Sequence, residues 1–136
     1  MLKTLPTDAL AWPRRAAIIG AGTMGLGVAE SWIAAGVAVT LVDVAPEQTR
    51  LAHARLAQRV QKHVDASLAD SAVSARVASM PRVDTIASAV ADADLVFEAV
   101  FERIEVKREV LSAIEAAARP TALIASNTSS LPIDDL

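Results

Sequence analysis

With 136 residues and a formal net charge of −3, the chain is one domain, long enough to bury roughly two-thirds of the surface its unfolded form exposes; it lacks the basic footprint that a nucleic-acid partner requires. It has no cysteine, which excludes disulfides and thiolate metal sites and fits a reducing, cytoplasmic compartment; no bound metal is expected. Hydrophobic residues make up 53% and aromatic ones only 3%, so the expected interior is helices packed on a sheet of small aliphatic side chains.

Residues 1–13 read as a loose leader ending near Pro13, without the basic-then-apolar layout of a signal peptide. The domain itself is expected over residues 14–136. Ala16 to Ile19 reads as a short buried strand, and Gly20, Gly22 and Gly25 follow in G-x-G-x-x-G register at the head of a helix. In a dinucleotide site each glycine has its own task. Gly20 permits the turn out of the strand, Gly22 lets a pyrophosphate approach the backbone, and Gly25 lets the helix pack closely on the sheet. The positive end of the helix then faces the phosphates. The helix is expected over residues 23–35, with Gly36 as its stop.

A second strand over residues 37–42 ends in Asp43. That acid lies about twenty residues beyond the glycine turn, where a ribose-binding carboxylate is expected. It favours NAD over NADP, because a carboxylate accepts from both ribose hydroxyls and repels a 2′-phosphate. Between Ala16 and Val42 the only charge is Glu30, and a hydropathy window could read a membrane span there. Five glycines and that central carboxylate argue against one, so no membrane partner is expected.

Pro46 and Glu47 suit the first turn of the next helix, where Leu56, Val60 and Val64 form a core-facing i, i+4, i+8 row. Arg50, Arg55, Arg59 and Lys62 fall on its other faces. They read as solvated surface, the alternative being contact with a phosphorylated substrate. His53 and His63, the only histidines, have neither ligand spacing nor a partnered acid, and neither is expected to be catalytic. Residues 66–80 suggest a weaker helix ended by Pro81, then a short strand near residues 82–86 and a helical turn over 87–90.

A third buried strand at residues 95–97 has Glu98 and Glu102 at or past its carboxyl end, the end where open parallel sheets bind ligands. Val106, Val110, Ile114 and Ala118 mark a helix over residues 104–118. A last strand over 122–126 runs into Asn127-Thr128-Ser129-Ser130, a cluster that turn and capping chemistry alone could explain. The order β-α-β-α-(α)-β-β-α-β implies an α/β fold, a Rossmann-type doubly wound parallel sheet in a single domain.

Three stretches together, Gly20 to Ala29, Asp94 to Glu102 and Ser126 to Leu131, resemble the N-terminal domain of the 3-hydroxyacyl-CoA dehydrogenases, including the 3-hydroxybutyryl-CoA enzymes. The resemblance covers residues 15–136 and implies NAD-dependent oxidation of an (S)-3-hydroxyacyl-CoA to the 3-ketoacyl-CoA, within fatty acid β-oxidation. It implies cofactor contacts from Gly20, Gly22, Thr23, Met24, Gly25, Asp43, Ala99, Val100, Glu102, Lys107 and Asn127, with Asn127 beside the nicotinamide ribose. It makes Ser129 the serine that hydrogen-bonds the reacting oxygen, and so displaces the capping reading of that cluster.

The family's general base is a histidine oriented by a glutamate, on a segment beyond the serine cluster. Here the chain stops at Leu136, before that segment and before the usual C-terminal helical domain, so a fragment inactive by itself is expected, from a protein that is a homodimer at full length. His63 to Asp70 replaces the family's lysine- and glycine-rich stretch. The alternatives are a related dehydrogenase acting on another 3-hydroxy acid or carrier-bound acyl group, and a non-catalytic dinucleotide-binding module.

Overall fold

A computed structural model describes residues 13–136. The expected leader, apart from Pro13, lies outside the described residues. The elements are β1 (Arg15–Ile19), α1 (Thr23–Ala34), β2 (Ala38–Val42), α2 (Pro46–Asp65), α3 (Ser71–Ala78), α4 (Ile86–Val90), β3 (Leu95–Glu98), α5 (Ile104–Ala117) and β4 (Leu123–Ser126), followed by a 3-10 turn at Ile133–Asp135. The strands form one sheet in the order β2-β1-β3-β4, and every neighbouring pair is parallel. This is the doubly wound arrangement that the order of elements implied.

Register decides where a ligand can sit. Ile19 stands opposite Val42 on one side and Glu98 on the other, and Glu98 stands opposite Ser126. The four strands therefore end level, and the loops that follow them share one rim. The chain steps from β1 outward to β2 and then crosses back to place β3 on β1's other side. That reversal opens a crevice at the carboxyl ends of β1 and β3.

Helices cover both faces, so the strands are apolar on both sides. Ile18 and Leu41 pack with Leu26 and Ile33 of α1 and with Leu56 and Val60 of α2. Ala17, Ile19, Val42 and Val96 pack on the opposite face with Val90 of α4 and Val110 and Ile114 of α5. The alternation along β1 follows the period of two of a strand, and each fully buried Ile, Leu or Val contributes about 1.5–3 kcal/mol. Trp32 meets Phe97 edge-on, with ring centroids 5.8 Å apart. At the amino ends of the strands, the Asp94 carboxylate accepts the Arg14 and Arg15 N–H groups at 2.9 Å and pairs with Arg119. The Arg15 N–H, followed by the Arg119 and Arg14 contacts, holds that carboxyl below its usual range despite partial desolvation.

Helix α1 ends in a Schellman motif: Val37 N–H donates to Trp32 O and Gly36 N–H to Ile33 O, with Gly36 at φ +91°. Helix α2 ends the same way, except that Ser67 takes the left-handed position at φ +57°. This turn cuts the expected helix over 66–80 down to α3, which begins only after Asp70 accepts the Ala72 N–H.

Two further expectations are corrected. No strand forms near residues 82–86; the Thr85 hydroxyl accepts the Ser88 N–H and caps α4, drawing Ile86 into a helix. His63 does have a partnered acid, because its Nδ1 meets Glu30, which also pairs with Arg59. Arg59 is thus part of an α1–α2 tie, and Arg50 is bound to Glu47 within α2. His53 is buried, only 2% exposed, with its Nε2 3.3 Å from the Leu41 carbonyl of edge strand β2. A carbonyl only accepts, so Nε2 carries the proton, and Nδ1 has no partner among the described residues. Among the described residues no helix is long and apolar enough to cross a membrane.

Candidate functional site

The glycine turn is shaped by what a side chain would strike. Gly20 has φ +114°, and a Cβ there would stand 2.4 Å from the Ala99 carbonyl oxygen. A Cβ on Gly25 would lie 1.9 Å from the Gly20 carbonyl oxygen, so α1 can start this close to β1 only with glycine at that position. The expected contact of Gly25 with the sheet is thus specifically a contact with the turn itself, plus Ile18. Gly22 differs: nothing lies within 4 Å of an added Cβ. It is the N-cap of α1, no side chain caps the helix, and its first turn holds no acidic residue. A helix start left open, uncapped and without carboxylates fits a pyrophosphate.

Asp43 closes the other side of this turn. Its Oδ2 accepts the Ala21 N–H at 2.8 Å, and its own N–H donates to Thr49 Oγ1 at 2.9 Å. The carboxylate therefore fixes the turn as well as standing at the end of β2. A cleft of about 240 Å³ is lined by Gly22, Thr23, Met24, Asp43, Ala99 and Val100, together with Val44, Phe101 and Val106. The first six are residues singled out in the sequence, whereas Gly20 and Gly25 do not line the cleft and act by shaping the turn beside it. The last three were missed. Phe101, at 80% exposure, carried a signal: an aromatic just beyond a buried strand, in a chain with few aromatics.

Next to the cleft lies a second, polar cluster. Glu102 Oε1 accepts from Thr128 Oγ1 and, at 3.1 Å each, from Ser129 N–H, Ser130 N–H and Ser130 Oγ. Those bonds, the Thr128 hydroxyl first and the Ser130 N–H next, hold its carboxyl far below the ordinary range, so the loop keeps an anionic anchor at any physiological pH. Asn127 and Ser129 are exposed on this loop. Lys107 lies behind it with 0% exposure. Its Nζ stands 2.8 and 3.1 Å from the Glu98 carboxylate oxygens, 3.2 Å from Glu102 Oε2 and 3.3 Å from the Val100 carbonyl. Glu98, also at 0%, receives Ser126 Oγ and the Val100 N–H as well. Sequence reasoning placed Glu98 at the strand end but gave it no partner.

A bare helix start at the switch point of a parallel sheet, with a carboxylate at the end of the adjacent strand, defines a Rossmann-type dinucleotide-binding domain. A family model described as "3-hydroxyacyl-CoA dehydrogenase, NAD binding domain" matches residues 15–136. The chain belongs to that family, and NAD is the cofactor its domain binds. A probable 3-hydroxyacyl-CoA dehydrogenase of Caenorhabditis elegans is 41% identical over 125 residues, which cover 88% of this chain and 40% of the relative. The crystal structure of 3-hydroxybutyryl-CoA dehydrogenase from Escherichia coli is similar with a TM-score of 0.81 at 32% identity, covering 90% of this chain and 26% of that one. A diketoreductase structure, described as acting on dicarbonyl compounds, is similar with a TM-score of 0.78 at 33% identity over 90% of this chain and 44% of its own. The chain thus spans less than half the length of each of these relatives.

Proposed function

We propose that this domain serves a 3-hydroxyacyl-CoA dehydrogenase that oxidises (S)-3-hydroxyacyl-CoA to 3-ketoacyl-CoA, as a cytoplasmic homodimer of fatty acid β-oxidation with no nucleic-acid or membrane partner. The observation that carries the reading is the polar loop of Asn127 to Ser130, drawn by Glu102 to the same rim as the glycine turn. NAD, when bound, supplies the hydride acceptor. In this reading Gly22 and the start of α1 receive the pyrophosphate, with Gly20 and Gly25 shaping the turn, and Asp43 takes the adenosine ribose. Thr23, Met24, Ala99 and Val100 form the walls. Ser129 donates a hydrogen bond to the reacting oxygen, and Asn127 steadies the nicotinamide ribose. Glu102 and Lys107 stand on the nicotinamide side, where Lys107 holds Glu102 from within. Neither histidine serves as base: His53 is buried against Leu41 and His63 is bound to Glu30.

Calorimetry of the 136-residue chain tests this. It should bind NADH in preference to NADPH and show no steady turnover of acetoacetyl-CoA, and Asp43→Ala should erode the preference for NADH. Absence of heat with NADH, or an unchanged preference in the variant, overturns the reading. The likeness to a diketoreductase favours, as a second reading, a related enzyme acting on another 3-hydroxy acid, its keto form or a carrier-bound acyl group.

A further inference from the structure

Two side chains at the centre of the rim touch neither the cleft nor solvent. Glu98 ends β3, Lys107 lies in the second turn of α5, and both are completely buried. Space-filling alone does not call for them, since a buried ion pair replaced by apolar residues of similar volume often leaves stability unchanged or raises it. What the pair supplies is direction, because its bonds run outward to both walls of the cleft. On one side it grips a single residue twice: the Val100 N–H donates to Glu98 Oε1 at 2.7 Å, and the Val100 carbonyl accepts from Lys107 Nζ at 3.3 Å. Val100 follows Ala99, whose carbonyl stands over Gly20 and whose N–H donates to Ile19 O at 2.7 Å. On the other side Ser126 Oγ donates to Glu98, the Asn127 N–H donates to the Glu98 carbonyl at 2.8 Å, and Lys107 holds Glu102, which gathers Thr128, Ser129 and Ser130.

We propose that Glu98 and Lys107 are positioning residues that set the two walls of the cleft against each other: the Ala99–Val100 wall beside the glycine turn, and the loop that presents Asn127 and Ser129. The proposal rests on the reading of that loop given above. It makes the roles of Lys107 and Glu102 distinct. Glu102 meets the loop directly, whereas Lys107 acts through Glu102 and Val100, and Glu98 acts through Lys107, Val100 and Ser126.

The test uses the 136-residue chain, with two readouts: the amide signals of Val100, Ser129 and Ser130 without cofactor, and NADH affinity. Lys107→Met should move all three amides and leave that of Ala21, which donates to Asp43, in place. NADH should bind about tenfold more weakly, the loss expected for one charge-assisted hydrogen bond. Should Lys107→Met fail to fold, Ser126→Ala removes only a neutral donor to Glu98. It should shift the same three amides and weaken NADH about threefold, the lower end of what one hydrogen bond is worth. A folded variant in which the three amides stay put overturns the proposal. So does one in which Ala21 moves as much as they do, which would make the pair a general stabiliser. If the unmodified chain binds no NADH, the functional reading fails, while the amide shifts still decide the positioning role.

Discussion

At the carboxyl end of β1 the chain turns through Gly20 to Gly25, where backbone shapes the turn and Gly22 leaves open space. One strand away, at the end of β3, it turns through Glu98 to Glu102, where two carboxylates and a buried ammonium converge. Both turns face the same cleft. The first is specified by side chains that must be missing, the second by charges that must find one another. Steric exclusion here is set by backbone, whether near in sequence, as Gly20 O is to Gly25, or far, as Ala99 O is to Gly20, and it tolerates almost no relaxation. Charge pairing operates between elements, and its failure is partial and can be compensated.

The largest effect is expected where exclusion is tightest. Gly25→Ala puts a methyl 1.9 Å from the Gly20 carbonyl oxygen, an atom fixed in backbone. The loss should reach about 4 kcal/mol, a large part of a domain's usual stability, and urea melts should show the variant largely unfolded. Gly22→Ala sharpens the contrast, because its Cβ meets nothing. It should keep the wild-type midpoint to within about 0.5 kcal/mol and yet bind NADH more weakly. Equal destabilisation by both substitutions would contradict this division between packed turn and open cradle.

On the charged side, Lys107→Met strands the Glu98 carboxylate in the interior and should cost about 3 kcal/mol. Glu98→Gln combined with Lys107→Met removes both charges and should recover most of that loss. A double variant no more stable than the single one would mean that the ion pair itself is strongly favourable.

The same contrast explains what the sequence disclosed. The glycine turn, the strand before it and Asp43 were readable because their demands fall at fixed short spacings: one strand, one turn, one helix and one strand more. The core rows Leu56–Val60 and Val110–Ile114 followed from helical period alone. Glu98 was visible as an acid at a strand end, but its meaning depends on Lys107 nine residues on and Ser126 twenty-eight residues on, and no periodicity links them. Glu30 and His63, separated by thirty-three positions, were unreadable for the same reason. The strand expected at 82–86 failed differently. Val83 and Ile86 suit a strand, but a local competitor won, because Thr85 offers its hydroxyl to the Ser88 N–H and starts a helix there.

A smaller effect is expected from acid. Burial, and next the charge of Arg82, push the His53 imidazole below its ordinary value of 6.5, while the bond to the Leu41 carbonyl opposes them. The unfolded chain takes up this proton as pH falls through about 6.5, and the folded chain does not, so stability is lost on acidification and retained above that range. The loss continues down to the depressed folded value and then ceases for this group. Melting temperatures taken downward from about pH 7.5 should therefore decline, and His53→Gln, which can still donate to Leu41 O, should flatten the slope. A variant with the wild-type slope would assign the acid sensitivity to other groups.

The smallest effect isolates exclusion from charge altogether. Ser67 ends α2 with φ +57°, in the position where Gly36 ends α1 with φ +91°. Both turns make the same pair of closing bonds: Leu68 N–H to His63 O with Ser67 N–H to Val64 O in α2, Val37 N–H to Trp32 O with Gly36 N–H to Ile33 O in α1. The two caps differ chiefly in a Cβ, which the left-handed region penalises by about 1 kcal/mol. Glycine also loses more backbone freedom on folding, which returns part of that gain. Ser67→Gly should therefore stabilise the domain by about 0.5 kcal/mol, and Gly36→Ser should destabilise it by a similar amount, although nothing lies within 4 Å of its added Cβ. Opposite signs of similar size would show that backbone conformation alone sets both helix ends; a neutral Ser67→Gly would mean that its hydroxyl makes up for the strain.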